Sequence, residues 1–121
     1  MKHRKHIASM LVAWRYAKNL TQTKVAKKLN VTFQQVQKYE STQNGISSER
    51  LLTFCEALDI PLQQFQTGDC FQVIDGADIS VFKKEKALEI IDKLKLDEVI
   101  NDKSRSNENM AGESFRQGTY L

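Results

Sequence analysis

The stretch that most restricts the fold runs from Thr21 to Glu40, because it carries two helical patterns with a stop and a restart between them. Val25, Ala26 and Leu29 form an apolar stripe at helical spacing. Asn30 then supplies a residue that tolerates the left-handed backbone with which helices end. Thr32 reopens the chain as an N-cap, and Gln35 stands three residues on, as a capping box requires. In the second segment Val36 and Tyr39 can pack inward, which leaves Phe33, Gln34, Gln37 and Lys38 to project elsewhere. Amides and a cation on the outer face of a short helix are suited to base edges and phosphates.

Around this stretch, Leu11, Arg15, Leu20-Thr21-Gln22, Val25-Ala26, Leu29, Val31, Val36 and Tyr39-Glu40 are followed by Leu51-Leu52, Ala57-Leu58-Asp59-Ile60-Pro61 and Phe65. In this register, residues 6–66 resemble the lambda-repressor-like (Xre/Cro type) helix-turn-helix domain, a bundle of five short helices. The resemblance implies a second helix of the motif lying in the major groove of double-stranded DNA. It further implies that Gln22 bonds a phosphate while steadying the next helix, that Thr32 meets phosphate, that Phe33, Gln34 and Gln37 face bases, and that Lys38, with Lys24 and Lys27, meets the backbone. The family often has a polar residue where Phe33 stands, and commonly Gly where Thr42 stands. It also pairs an Arg of the first helix with a Glu ending the recognition helix, which here are Arg15 and Glu40. A buried guanidinium needs such a partner, and its planar fork suits a carboxylate.

The remaining segments follow from local patterns. Ile7 to Asn19 reads as helix, with Ile7, Met10, Leu11 and Trp14 on one face. Ser41 to Ser48, containing Asn44-Gly45, reads as a loop. Ser47 caps a helix from Ser48 to Leu58, and Pro61 is placed to start a fifth from Pro61 to Phe65. Past Thr67 the resemblance ends. Phe71, Val73, Asp75-Gly76, Ile79 and Val81 alternate about a turn dipeptide and predict a small β-hairpin. Lys83 to Leu94 is an amphipathic helix through Ala87, Leu88, Ile90, Ile91 and Leu94. Leu96, Val99 and Ile100 would fall on its opposite side, so a break near Lys95 is expected. The apolar face of that helix must pack on the front domain or on a second chain, and a dimer contact is the preferred reading. From Lys103 the composition is that of a disordered tail. The expected architecture is all-α: a domain at 1–66, an extension at 67–102 that serves dimerisation, and a tail at 103–121.

Charge adds to the picture. Residues 1–50 hold ten Lys and Arg against two acids, and residues 51–121 hold eight against thirteen. A basic front half is the electrostatic footprint of a nucleic-acid-binding module. Lys2, Arg4 and Lys5 would form a frayed basic arm, able to touch phosphate or enter a minor groove. His3 and His6 lack a carboxylate or Cys partner for metal, and Cys55 and Cys70 form no CxxC pair, so neither metal nor cofactor is expected. There is no Gly-rich phosphate loop and no Ser/His/Asp set, which argues against an enzyme. No apolar run is long enough for a membrane span, and the basic start is not followed by a signal-peptide core, so a cytoplasmic location is expected. The function expected from these features is a sequence-specific regulator of transcription, a repressor acting as a homodimer. The competing class is an antitoxin or adaptor whose helix-turn-helix grips a protein partner.

Overall fold

The computed structural model describes residues 2–94 as helices joined by short turns, with no strand among the described residues. They are α1 (Lys2–Ala17), α2 (Gln22–Leu29), α3 (Phe33–Glu40), α4 (Ser48–Leu58), α5 (Gln64–Thr67), α6 (Cys70–Asp75) and α7 (81–94). The described residues up to Ile91 form one compact unit. The expectations for Lys95, Leu96, Val99, Ile100 and the tail at 103–121 fall outside the described residues.

The helix ends are written locally. Thr21, Thr32 and Ser47 each accept a backbone N–H three residues on, at 3.1, 3.1 and 3.2 Å. These bonds satisfy donors that a helix leaves open at its start. At the other end α1, α2 and α4 share one device. Asn19, Asn30 and Asp59 adopt left-handed φ of 59, 57 and 58°. The following Leu20, Val31 and Ile60 N–H groups then reach back to Arg15, Ala26 and Cys55 carbonyls at 3.0, 3.0 and 2.8 Å. This is the Schellman closure, with an aliphatic residue just past each stop. It ends α1 at Ala17, before the expected Asn19.

Helix α1 is central. Met10, Leu11, Val12 and Ala13 are consecutive and all buried, so the helix is covered on every side rather than along one stripe. It packs on α3, α5 and α6. Val25, Leu29, Val36, Phe54, Leu58 and Phe65 share its core, where Phe54 and Phe65 meet edge to face at 6.0 Å between centroids. Trp14 is half-buried against the same core. Burial pushes the Cys55 thiol up from its ordinary pKa.

Three further expectations are corrected. The hairpin at Phe71–Val81 is instead α6 followed by the start of α7. Asp69 Oδ1 accepts the Phe71 N–H at 2.8 Å and opens the helix, while Cys70 and Ile74, four apart, are buried together. Gly76 has φ −83°, not the positive angle that a tight hairpin turn demands. The fifth helix begins at Gln64, three residues after Pro61, because Pro61, Leu62 and Gln63 carbonyls close tighter i→i+3 turns first. The basic arm is not frayed: Lys2 to His6 extend α1. Arg4 lies against the α3–α4 loop, where a Cβ on Gly45 would stand 3.2 Å from its Nη2. Cys70 is 5% exposed and lies in the core.

The α7 face takes the first of its two options. Ala87 and Ile91 are fully buried in the same core as α1, with Leu88 and Ile90 packed against it. Lys84 Nζ donates to the Asp75 carbonyl at 3.1 Å and ties α7 to the end of α6.

Candidate nucleic-acid interface

Helix α3 is only eight residues long, and its two faces are sharply divided. Val36, Tyr39 and Glu40 are buried, while Thr32, Phe33, Gln34, Gln37 and Lys38 are exposed. Phe33, which a core would ordinarily claim, is 39% exposed in the first turn. A helix this short has little stability of its own, so its orientation depends on what holds its buried side.

Polar bonds hold its carboxyl end. Arg15 Nε donates to Glu40 Oε2 at 2.7 Å and Arg15 Nη2 to Oε1 at 3.1 Å, the bidentate geometry of a guanidinium on a carboxylate. Arg15 Nη1 reaches the Leu20 carbonyl at 3.0 Å, and Gln22 Nε2 donates to Glu40 Oε1 at 3.0 Å. Arg15 and Glu40 are 6% and 8% exposed, so both charges sit in a poorly solvated place. Burial alone would lower the Arg15 pKa, but the bond to Glu40 and its charge outweigh burial and raise it. The Arg15–Glu40–Gln22 bonds join the ends of α1, α2 and α3 at one point.

Gln22, expected at a phosphate, is half-buried and spends one amide N–H on Glu40. It therefore orients α3 while standing in the first turn of α2. Lys24 and Lys27 are exposed on α2. Arg50 was not singled out from the sequence. Its guanidinium donates to the Leu29 carbonyl and, at 3.5 Å, to that of Asn30, covering the carboxyl end of α2 from α4. Only its position in the first turn of α4, three residues past the Ser47 cap, hinted at that use.

Thr42, just past α3, has φ 66°. This is the left-handed conformation for which the resembled family commonly places Gly, and a β-branched residue holds it here under strain. Among the described residues, no group of three His, Cys, Asp or Glu is arranged to hold a metal. No described helix is long and apolar enough to cross a membrane.

Two short helices at a tight turn, the second exposing amides and held by a buried Arg–Glu pair, define a helix-turn-helix domain. In residues 11–65 the chain matches the helix-turn-helix family model, and this segment is a helix-turn-helix domain of the Xre/Cro, lambda-repressor-like type. It is 38% identical over 60 residues to an uncharacterized transcriptional regulator in the ATPase CF(0) region of Rhodospirillum rubrum, covering 50% of this chain and 56% of that protein. It is 40% identical over 62 residues to an uncharacterized HTH-type transcriptional regulator of Rickettsia conorii, covering 51% and 50%. A third relative, from Sinorhizobium medicae, is 33% identical over 60 residues, with 50% and 43% covered. The chain thus spans about half the length of the curated relatives it matches. No solved structure matches it.

Proposed function

We propose that the chain is a sequence-specific, double-stranded-DNA-binding regulator of transcription, acting as a homodimer and repressing by occupying its operator. The observation that carries this reading is the exposure of Gln34 and Gln37 on a helix whose other face is locked down. In this reading α3 enters the major groove by its amino end. Gln34 and Gln37 then offer paired donor and acceptor groups to adenine N6 and N7, and the Phe33 ring meets a thymine methyl. Thr32, Gln22 and Lys38 hold flanking phosphates, which sets register without reading sequence. The relatives, described as transcriptional regulators, support the same class. A homodimer is supported by Val81 and Phe82, which are 69% and 75% exposed and are apolar surface not used by the core.

The test is a selection of bound sequences from random duplex DNA, run with the wild type and with Gln34→Ala. A selected motif that loses preference at one base step in the variant supports the reading. Failure of the wild type to enrich any motif contradicts it.

A further inference from the structure

We propose that Lys83, from outside the family-matched segment, holds a DNA backbone phosphate in the cleft it shares with Gln22 and Phe33, so that the extension is part of the DNA-binding surface. The inference rests on the DNA-binding reading above and deepens it. Lys83 stands in the first turn of α7, and its Nζ donates to Asn19 Oδ1 at 2.6 Å, across 64 residues of sequence. Asn19 is the left-handed residue that closes α1, two positions before the Thr21 cap of α2. The bond therefore stations an ammonium beside the amino end of the helix-turn-helix.

That ammonium lines a cleft of about 450 Å³ together with Arg15, Thr21, Gln22, Thr23 and Phe33. The volume accommodates a phosphodiester group with its sugars. Its lining contains two cations and no carboxylate. Arg15 is already committed to Glu40 and the Leu20 carbonyl, which leaves Lys83 as the lining cation with charge to offer. Lys83 is exposed, and among the described residues no carboxylate stands within ion-pair distance of it. An amide oxygen occupies one of the three ammonium donors and neutralises none of the charge, so donors remain for a phosphate oxygen. Its neighbours on α7 are engaged differently: Lys84 bonds the Asp75 carbonyl and Lys86 lies 3.5 Å from Glu89. Gln22 and Phe33 stand in the first turns of α2 and α3, the ends a duplex backbone must pass if α3 lies in the groove.

The experiment measures binding of the full chain to a mixed-sequence duplex over a range of salt, for wild type, Lys83→Gln and Lys83→Arg. Loss of one phosphate contact should make the slope of log K against log salt shallower by about one in Lys83→Gln, and weaken binding evenly on every sequence. Lys83→Arg, which keeps the charge, should retain the wild-type slope. Equal slopes for wild type and Lys83→Gln overturn the Lys83 assignment and leave the regulator reading intact. A shallow slope in Lys83→Arg as well makes the effect structural and also overturns the assignment. A wild type that shows no salt-dependent duplex binding overturns both.

Discussion

The Arg15 guanidinium grips both carboxylate oxygens of Glu40, through Nε at 2.7 Å and Nη2 at 3.1 Å, across 25 residues of chain. Because Glu40 ends α3 and also accepts from Gln22, this contact sets the angle at which the exposed amides of α3 leave the body. Arg15→Ala would strand a buried carboxylate and is expected to destabilise the fold by about 3–5 kcal/mol. Arg15→Met with Glu40→Leu should recover most of that loss, since two apolar side chains need no partner. Urea unfolding measures both. A single-variant loss below about 1 kcal/mol would mean that the pair behaves like a surface ion pair.

Gln34→Ala removes an exposed side chain, so melting should be unchanged while binding falls. The expected loss is about 1–3 kcal/mol on the selected operator, with relaxed choice at one base step. Isotherms on the selected duplex and its single-base variants decide it. Uniform weakening on all of them would move Gln34 to the backbone-contacting class.

Thr42 holds a φ of 66° with a branched Cβ. Thr42→Gly removes the clash with the following carbonyl, worth about 1–2 kcal/mol, against a rise in unfolded-chain freedom of about 0.5–1 kcal/mol. A net gain of a few tenths to 1 kcal/mol is expected in chemical unfolding. A clear loss would show that the Thr42 side chain contributes more than its strain removes.

Gly68 has ordinary backbone angles but no room. A Cβ there would strike the Gln64 carbonyl and stand 2.9 Å from Met10 Cε, which is itself fully buried. Gly68→Ala should therefore destabilise by about 1–3 kcal/mol, by forcing the α5–α6 turn off α1. A melting temperature equal to wild type would show that the turn yields freely.

Phe82 is 75% exposed beside Val81, and Phe82→Ser leaves the core untouched. Sedimentation equilibrium should give the wild type twice the 13.9 kDa chain mass and shift the variant toward one. A wild type that sediments as a single chain at high concentration rules out the homodimer.

Much of the front half was legible because its signals act within a few residues. The Thr32 cap and the Asn30 stop close on atoms three to five positions away, so they can be read without knowing the fold. The same signal was present and unread at Asn19-Leu20, where an Asn followed by an aliphatic residue repeats the pattern of Asn30-Val31 and Asp59-Ile60. The uncharged run Ile7 to Trp14 was a second overlooked clue, since a helix without charges on any side is covered on all of them. The rear half was misread for a definite reason. Phe71 and Val73 alternate as in a strand, but Cys70, Phe71, Val73 and Ile74 also stand at helical spacing, and six residues are too few to choose between the two; the joint burial of Cys70 and Ile74 decides for helix.

By itself, the order of residues determined where α2 and α4 start and stop, where α3 begins and which side of α3 is left polar, because caps and periodicity are short-range. Only the tertiary structure decided that Cys70–Asp75 is helix, that the Ala87–Ile91 face lies on α1's core, and that Lys83 stands beside Gln22. Each of these outcomes depends on burial or a bond between segments distant in the chain, and local pattern carries no record of which distant surface will be there.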